Sequence, residues 1–178
     1  QIMEHWAMEP EVLKSYARHV ETNQPIPDEL IEKLKASQTF NQGFSTTEYL
    51  AACYLDMAWH KEAGAGDSAV DNFEQAAMDQ IGKIGMVDPR YKSSYFQHIF
   101  TGDHYSAGYY VYMWAEVLDA DGYEAFREQG IFDAATAKSF RENILEKGGT
   151  VDPMALYKTF RGREPEVQPL LKNRGLLA

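Results

Sequence analysis

Residues 96–126 read FQHIFTGDHYSAGYYVYMWAEVLDADGYEAF, and the fold turns on this stretch. At about 100° per residue, Tyr105, Tyr109, Tyr112 and Glu116 fall on one narrow helical face, with Gly108 beside it leaving room. Tyr110, Trp114, Val117 and Leu118 fall on the opposite side and read as core packing. The spacing predicts one long helix over residues 105–127, interrupted or bent near Gly122. Such a helix carries an apolar stripe and, separately, a stripe of hydroxyl-bearing aromatics.

The same period extends outward in both directions. Upstream, Pro10 opens a helix with Leu13, Tyr16, Ala17 and Val20 at helical spacing. Pro27, Asp28 and Glu29 open a second through Leu30, Ile31 and Leu34, with acids in its first turn to match the helix dipole. Ser45 or Thr46 is the expected cap of a third, Glu48 completing a capping box on Ser45, and its buried face is Leu50, Cys53, Tyr54 and Met57. Residues 62–68 are glycine-rich and read as a loop. A fourth helix follows through Phe73, Ala76, Ala77, Ile81 and Ile84 and ends before Pro89. Downstream, Asp133 caps a helix ending at Gly148 and Gly149, Asp152 and Pro153 start another with Met154, Tyr157 and Phe160, and a short one passes through Leu170 and Leu171. Alternating strand patterns and internal repeats are both missing, so the predicted class is all-α.

Composition excludes several functions. Hydrophobic residues make up 44% and charged residues 25%, as in an ordinary folded domain. Net charge is -10, with 27 acidic residues against 17 basic ones, and the basic residues do not cluster. A surface of that sign repels phosphate, so nucleic acid is not an expected partner. No apolar run approaches the roughly 20 residues of a membrane span, so no membrane partner is expected either. Cys53 is the only cysteine and reads as a small buried hydrophobe. The chain opens without Met in what reads as structured sequence; a piece of a larger protein, cytoplasmic in location, is the expectation.

A phenol stays neutral at pH 7, with a pKa of roughly 10. Held rigidly, it donates to a developing oxyanion without reorganising, worth on the order of 3 kcal/mol per donor. Tyrosines also pack with the ring buried and the hydroxyl wet, which is the plain alternative. Among the five histidines, His98 and His104 flank a glycine-containing turn, and Asp56 and His60 stand four apart. None makes a recognised zinc ligand set, and HExxH is missing. The sequence therefore does not describe a self-contained hydrolase.

The 96–126 segment resembles the C-terminal signature of the thimet oligopeptidase and peptidyl-dipeptidase family of zinc peptidases, its bacterial peptidyl-dipeptidase branch above all. The opening QIMEHWAMEPEVLKSYARH resembles the stretch directly after that family's third zinc ligand. PIPDELIEKLKASQTFNQGF, YLAACYLDMAWH, DPMALYKTFRGREP and LLKNRGL fit in the same order, so the likeness covers essentially the whole chain. It implies an almost entirely helical, two-lobed fold around a channel, with zinc held by HExxH and a later glutamate. All of those groups would lie upstream of Gln1, so these residues would form a single helical C-terminal subdomain, 1–178, with no metal ligand of its own.

By the same resemblance, Tyr105 and Tyr112 match the tyrosines that stabilise the oxyanion, and His98 the substrate-binding histidine, with His104 its competitor. Tyr109 matches a further channel-lining tyrosine. Glu4 matches an acid beside the zinc segment, a candidate supporting carboxylate. Arg161 and Arg163 read either as receivers of a substrate carboxylate or as solvated surface charge. The implied activity is hydrolysis of short peptides with release of C-terminal dipeptides, zinc being supplied with the missing N-terminal half. The isolated chain is expected to be inactive and to self-associate through the face that half would cover. Two rivals stand beside this reading: a non-catalytic, acidic helical interaction module, and an independent metal site built on His98 and His104.

Overall fold

The computed structural model describes residues 1–61 and 69–177, so the glycine-rich stretch 62–68, expected as a loop, lies outside the described residues. In chain order the helices are α1 (Glu4–Ala7), α2 (Pro10–Tyr16), α3 (Asp28–Gln38), α4 (Gln42–Lys61), α5 (Val70–Gln80), α6 (Gln97–Phe100), α7 (Val111–Gln129), α8 (Ala134–Phe140), α9 (Pro153–Arg161) and α10 (Gln168–Asn173). Among the described residues no strand forms, and an isolated bridge pairs Arg18 with Pro25. The all-α class follows.

Several boundaries are set by the chemistry read from the sequence. Pro10 and Pro153 stand in the first turns of α2 and α9, where a missing N–H costs nothing. The Asp133 carboxylate accepts the Thr136 N–H at 2.7 Å, and Asp152 accepts that of Ala155 at 2.8 Å. After α8 the chain continues through a π turn, Arg141–Leu145, and a 3-10 turn, Gly148–Thr150.

Four of the helices, α2, α4, α5 and α7, depart from the expectation. α2 stops at Tyr16, leaving Val20 outside it and exposed. α4 is already running at Ser45 and Thr46, so neither caps it. Its buried face is Ala51, Ala52, Cys53, Leu55 and Asp56, while Leu50, Tyr54 and Met57 are exposed. Small residues at Ala51 and Ala52 let α5 pack closely, and that contact, not side-chain size, selects the inward face. α5 ends at Gln80 because Gly82 adopts φ +68°, its N–H and that of Lys83 closing back on Asp79 and Met78. The helix expected from residue 105 starts only at Val111, and Tyr110 and Trp114 are exposed rather than packed. It does not break at Gly122. There a Cβ would meet the tip of the Ile2 side chain at 3.4 Å, an ordinary contact distance.

The chain divides into two compact units. The first comprises Gln1–Phe40 and Ala115–Ala178. Its core is Tyr123, Phe126 and Phe140, with Ile2, Trp6, Ile131, Ile144 and Phe160 against it. Trp6 meets Tyr123 and Phe126 edge-on and donates its indole N–H to the Ile131 carbonyl at 2.7 Å. The second unit is Asn41–Trp114. Its core gathers Ala51, Ala52, Leu55, Met78, Phe96 and Ile99 with the ring of Tyr109.

Candidate functional site

Tyr105, Tyr109, Tyr112, His98 and His104 all lie in the second unit. Residues 101–110 run as a succession of turns between α6 and α7. A side chain from α4 holds these turns. Asp56, on the inward face of α4, is 0% exposed, and its carboxylate accepts the Ala107 N–H at 2.9 Å and the Tyr109 N–H at 2.8 Å. His60, one helical turn on, places Nδ1 2.8 Å from the same carboxylate. Ala107 takes φ +55°, a left-handed conformation that an L-residue holds only when its surroundings require it. The Tyr49 hydroxyl donates to the Tyr109 carbonyl at 2.7 Å, so the backbone of Tyr109 is held at both its N–H and its C=O.

The tyrosines meet on this turn, although not as one helical face. The rings of Tyr105 and Tyr112 stack with centroids 5.7 Å apart and planes 10° apart. The Tyr112 hydroxyl donates to that of Tyr105 at 3.0 Å. That bond uses a lone pair of Tyr105 and leaves the Tyr105 proton for another acceptor. Both residues are half-buried. His98, exposed on α6, presents its ring edge-on to Tyr105 at 5.5 Å and to Tyr112 at 6.5 Å.

Tyr109 is a different case. It is 4% exposed, packed edge-on against Phe96 at 5.0 Å. One helical face does not hold Tyr105, Tyr109, Tyr112 and Glu116, because Tyr105 and Tyr109 precede α7, which begins at Val111. Glu116 itself belongs to the first unit, paired there with Arg174. His104 is exposed on the same turn as Tyr105, and among the described residues no ring contact joins it to the cluster. Glu4 is exposed in the first turn of α1, in the first unit. Arg161 is no solvated charge: its guanidinium holds Glu128 at 2.6 Å and its Nε donates to the Asp121 carbonyl at 3.0 Å. Arg163 grips the Asp121 carboxylate at 2.5 Å. Both arginines are thus engaged within the first unit.

Sequence reasoning did not mark Asp56 as a site residue. Its signal was present in YLAACYLDMAWH, where an acid sits inside an apolar helical run and must find buried partners. Periodicity can show that such an acid is buried, but not that its partners are backbone N–H groups some 50 residues away.

The electrostatics favour neutral phenols. Donation to Tyr105 raises the Tyr112 pKa above its usual value, so Tyr112 keeps its proton across the neutral range. Burial, then the neighbouring Tyr91 phenol, push Tyr109 up to about 12, with Arg90 acting in the opposite sense. Burial pushes Tyr49 higher still. An unfolded phenol ionises near pH 10, so between that pH and the folded value the native chain binds more protons than the unfolded one. Stability linked to Tyr109 is therefore fully present below about pH 10 and is lost as pH rises towards about 12. Alkaline titration followed by circular dichroism is expected to show unfolding over that window. Tyr109→Phe is expected to flatten its first part.

Taken together, the turn offers two stacked neutral phenols, one with an uncommitted proton, and an exposed imidazole at their edge. Such a group can donate hydrogen bonds to an oxygen gaining negative charge.

Comparison with known proteins places the chain in a family. The family model for peptidase family M3 matches residues 1–176. The chain is 44% identical over 178 residues to a dipeptidyl carboxypeptidase of Salmonella typhimurium, covering 99% of this chain and 26% of that protein. It is 43% identical to the dipeptidyl carboxypeptidase of Escherichia coli, with the same coverage. Against oligopeptidase A of Escherichia coli the identity is 39% over 181 residues, again 99% of this chain and 26% of the relative. The chain thus spans about a quarter of the length of the curated relatives it matches.

Proposed function

The chain belongs to peptidase family M3, and from that membership we propose that it forms the substrate-facing, oxyanion-stabilising part of a zinc peptidase that cleaves short peptides and releases C-terminal dipeptides. The observation that carries the reading is the Tyr105–Tyr112 pair, hydroxyls 3.0 Å apart, on a turn pinned by a buried carboxylate. Dipeptide release rests on the names of two relatives, both dipeptidyl carboxypeptidases.

Among the described residues, no group of three or more His, Cys, Asp or Glu side chains gathers to hold a metal ion. The residues here do not fit zinc, so in this reading zinc is held by a half of the enzyme outside these 178 residues, and no step is derived through it. What this chain contributes is hydrogen bonding. As the scissile carbonyl becomes tetrahedral, its oxygen gains charge, and Tyr105 and Tyr112 donate to it while keeping their protons. His98, at the ring edge of both, holds the neighbouring peptide group. His104, exposed on the same turn, is a secondary substrate contact. Tyr109 acts from within the core by fixing the turn's backbone, and Glu4 serves as a supporting carboxylate for the metal segment.

Zinc content and peptide hydrolysis, measured on the chain alone and on the chain joined to a zinc-binding half, test this. The chain alone is expected to hold no stoichiometric zinc and to cleave nothing. The joined protein is expected to release dipeptides, read by mass spectrometry. Zinc bound by His98 and His104 in the chain alone, or a zinc-loaded joined protein with no peptidase activity, would overturn the proposal.

A further inference from the structure

A fully buried carboxylate is an expensive way to terminate a turn. A neutral Ser, Thr or Asn satisfies the same N–H groups at a smaller desolvation cost. Asp56 is 0% exposed yet sits among apolar groups, Ala52, Cys53 and Leu55 beside it on the inward face of α4. Its oxygens accept the Ala107 N–H at 2.9 Å and the Tyr109 N–H at 2.8 Å, and His60 Nδ1, hydrogen-bonded to the Asp56 carbonyl at 2.9 Å, stands 2.8 Å from the carboxylate. One bond lands on Ala107, whose φ of +55° is the strained point of the turn. The other lands on Tyr109, whose carbonyl is held from the opposite side by Tyr49. Charge-assisted bonds of this kind are about twice as strong as neutral ones, enough to hold a left-handed alanine that a neutral cap would let relax. Two residues before Ala107 stands Tyr105, and three after Tyr109 stands Tyr112.

We infer that Asp56 is a positioning residue for peptide hydrolysis: it locks the 105–110 turn in the strained conformation that sets the Tyr105 hydroxyl against Tyr112. The inference rests on the reading of that pair as oxyanion donors. It assigns to α4 a part in the site that none of the tyrosines shows by itself. Tyr49 is the second anchor of the same device, and His60 supplies the partner that keeps the buried carboxylate from standing alone.

The test is a double-mutant cycle in the enzyme that joins this chain to its zinc-binding half. Asp56→Asn keeps the shape and one acceptor but turns an amide NH2 towards a backbone donor. It is expected to lower kcat by on the order of tenfold to a hundredfold, as misplacement of a donor does, with KM little changed. In a Tyr105→Phe background the same substitution is expected to cost almost nothing further, because the hydroxyl it positions is gone. A general weakening of the fold has no reason to vanish in that background. Should Asp56→Asn fail to fold, Tyr49→Phe carries the same cycle from the other anchor, with a smaller loss that again disappears beside Tyr105→Phe. If Tyr105→Phe lowers kcat but the Asp56 or Tyr49 loss is undiminished on top of it, positioning is overturned and the oxyanion reading survives. If Tyr105→Phe leaves kcat unchanged, the oxyanion reading itself falls and the positioning role with it.

Discussion

Replacing Tyr112 with phenylalanine is expected to lower kcat for short peptides by on the order of 10²-fold in the proposed complete enzyme, with zinc content and fold unchanged. The ring stays where it is, stacked on Tyr105 at 5.7 Å, and only the hydroxyl is lost. A donor that is preorganised and faces charge appearing only in the transition state contributes roughly 3 kcal/mol to the barrier and little to ground-state binding. The loss therefore falls on kcat rather than KM. Tyr105→Phe is expected to behave alike, since its own proton is the one left over when Tyr112 donates to it at 3.0 Å. Steady-state kinetics on the two single variants check this, with metal analysis to show that zinc is retained. Equal kcat for wild type and both variants would remove the pair from the chemistry.

The largest effect on stability belongs to the first unit and lies away from the tyrosines. Asp121 is 0% exposed and is tied to Arg163 at 2.5 Å, to the Tyr157 hydroxyl, and through its carbonyl to Arg161 at 3.0 Å. Asp121→Ala leaves the buried Tyr157 hydroxyl without its acceptor and Arg163 without its main counter-charge. Breaking a buried pair from one side costs about 3–5 kcal/mol, and since Arg163 is about one-third exposed the expected loss is near the lower end. Denaturant unfolding measures it. A loss within about 0.5 kcal/mol, the range of an ordinary surface substitution, would show that Asp121 does not organise this core.

The helical class was legible because it depends on local signals. Pro10, Asp133, Asp152 and Pro153 start their helices where the sequence places them, each by a cap or a preset φ that needs no distant partner. The errors share one cause. The inward face of α4 is chosen by what α5 tolerates against Ala51 and Ala52, so the larger Leu50, Tyr54 and Met57 turn outward against their hydrophobicity. α7 starts only at Val111: a carboxylate from α4 takes the Tyr109 N–H, which a helix from residue 105 would have paired with the Tyr105 carbonyl, and Ala107 stands at φ +55°. Helical periodicity has no access to either contact.

The site divides in the same way. The family resemblance marked Tyr105, Tyr112 and His98, and these three come together. Tyr109, which both the resemblance and the helical wheel set beside the other tyrosines, lies in the core, and Glu116, one turn beyond Tyr112 on α7, is paired with Arg174. The exposed Tyr54, Met57 and Trp114 are apolar groups that a larger protein has reason to cover.

The most direct measurement is a crystal structure of the complete enzyme with a phosphinic peptide, whose tetrahedral, negatively charged phosphorus centre imitates the hydrolytic intermediate. The Tyr105 and Tyr112 hydroxyls are expected to part from one another and both donate to a phosphinyl oxygen, with His98 on the adjoining peptide. Hydroxyls that remain bonded to each other, with the phosphinyl oxygen held by other groups, would contradict it.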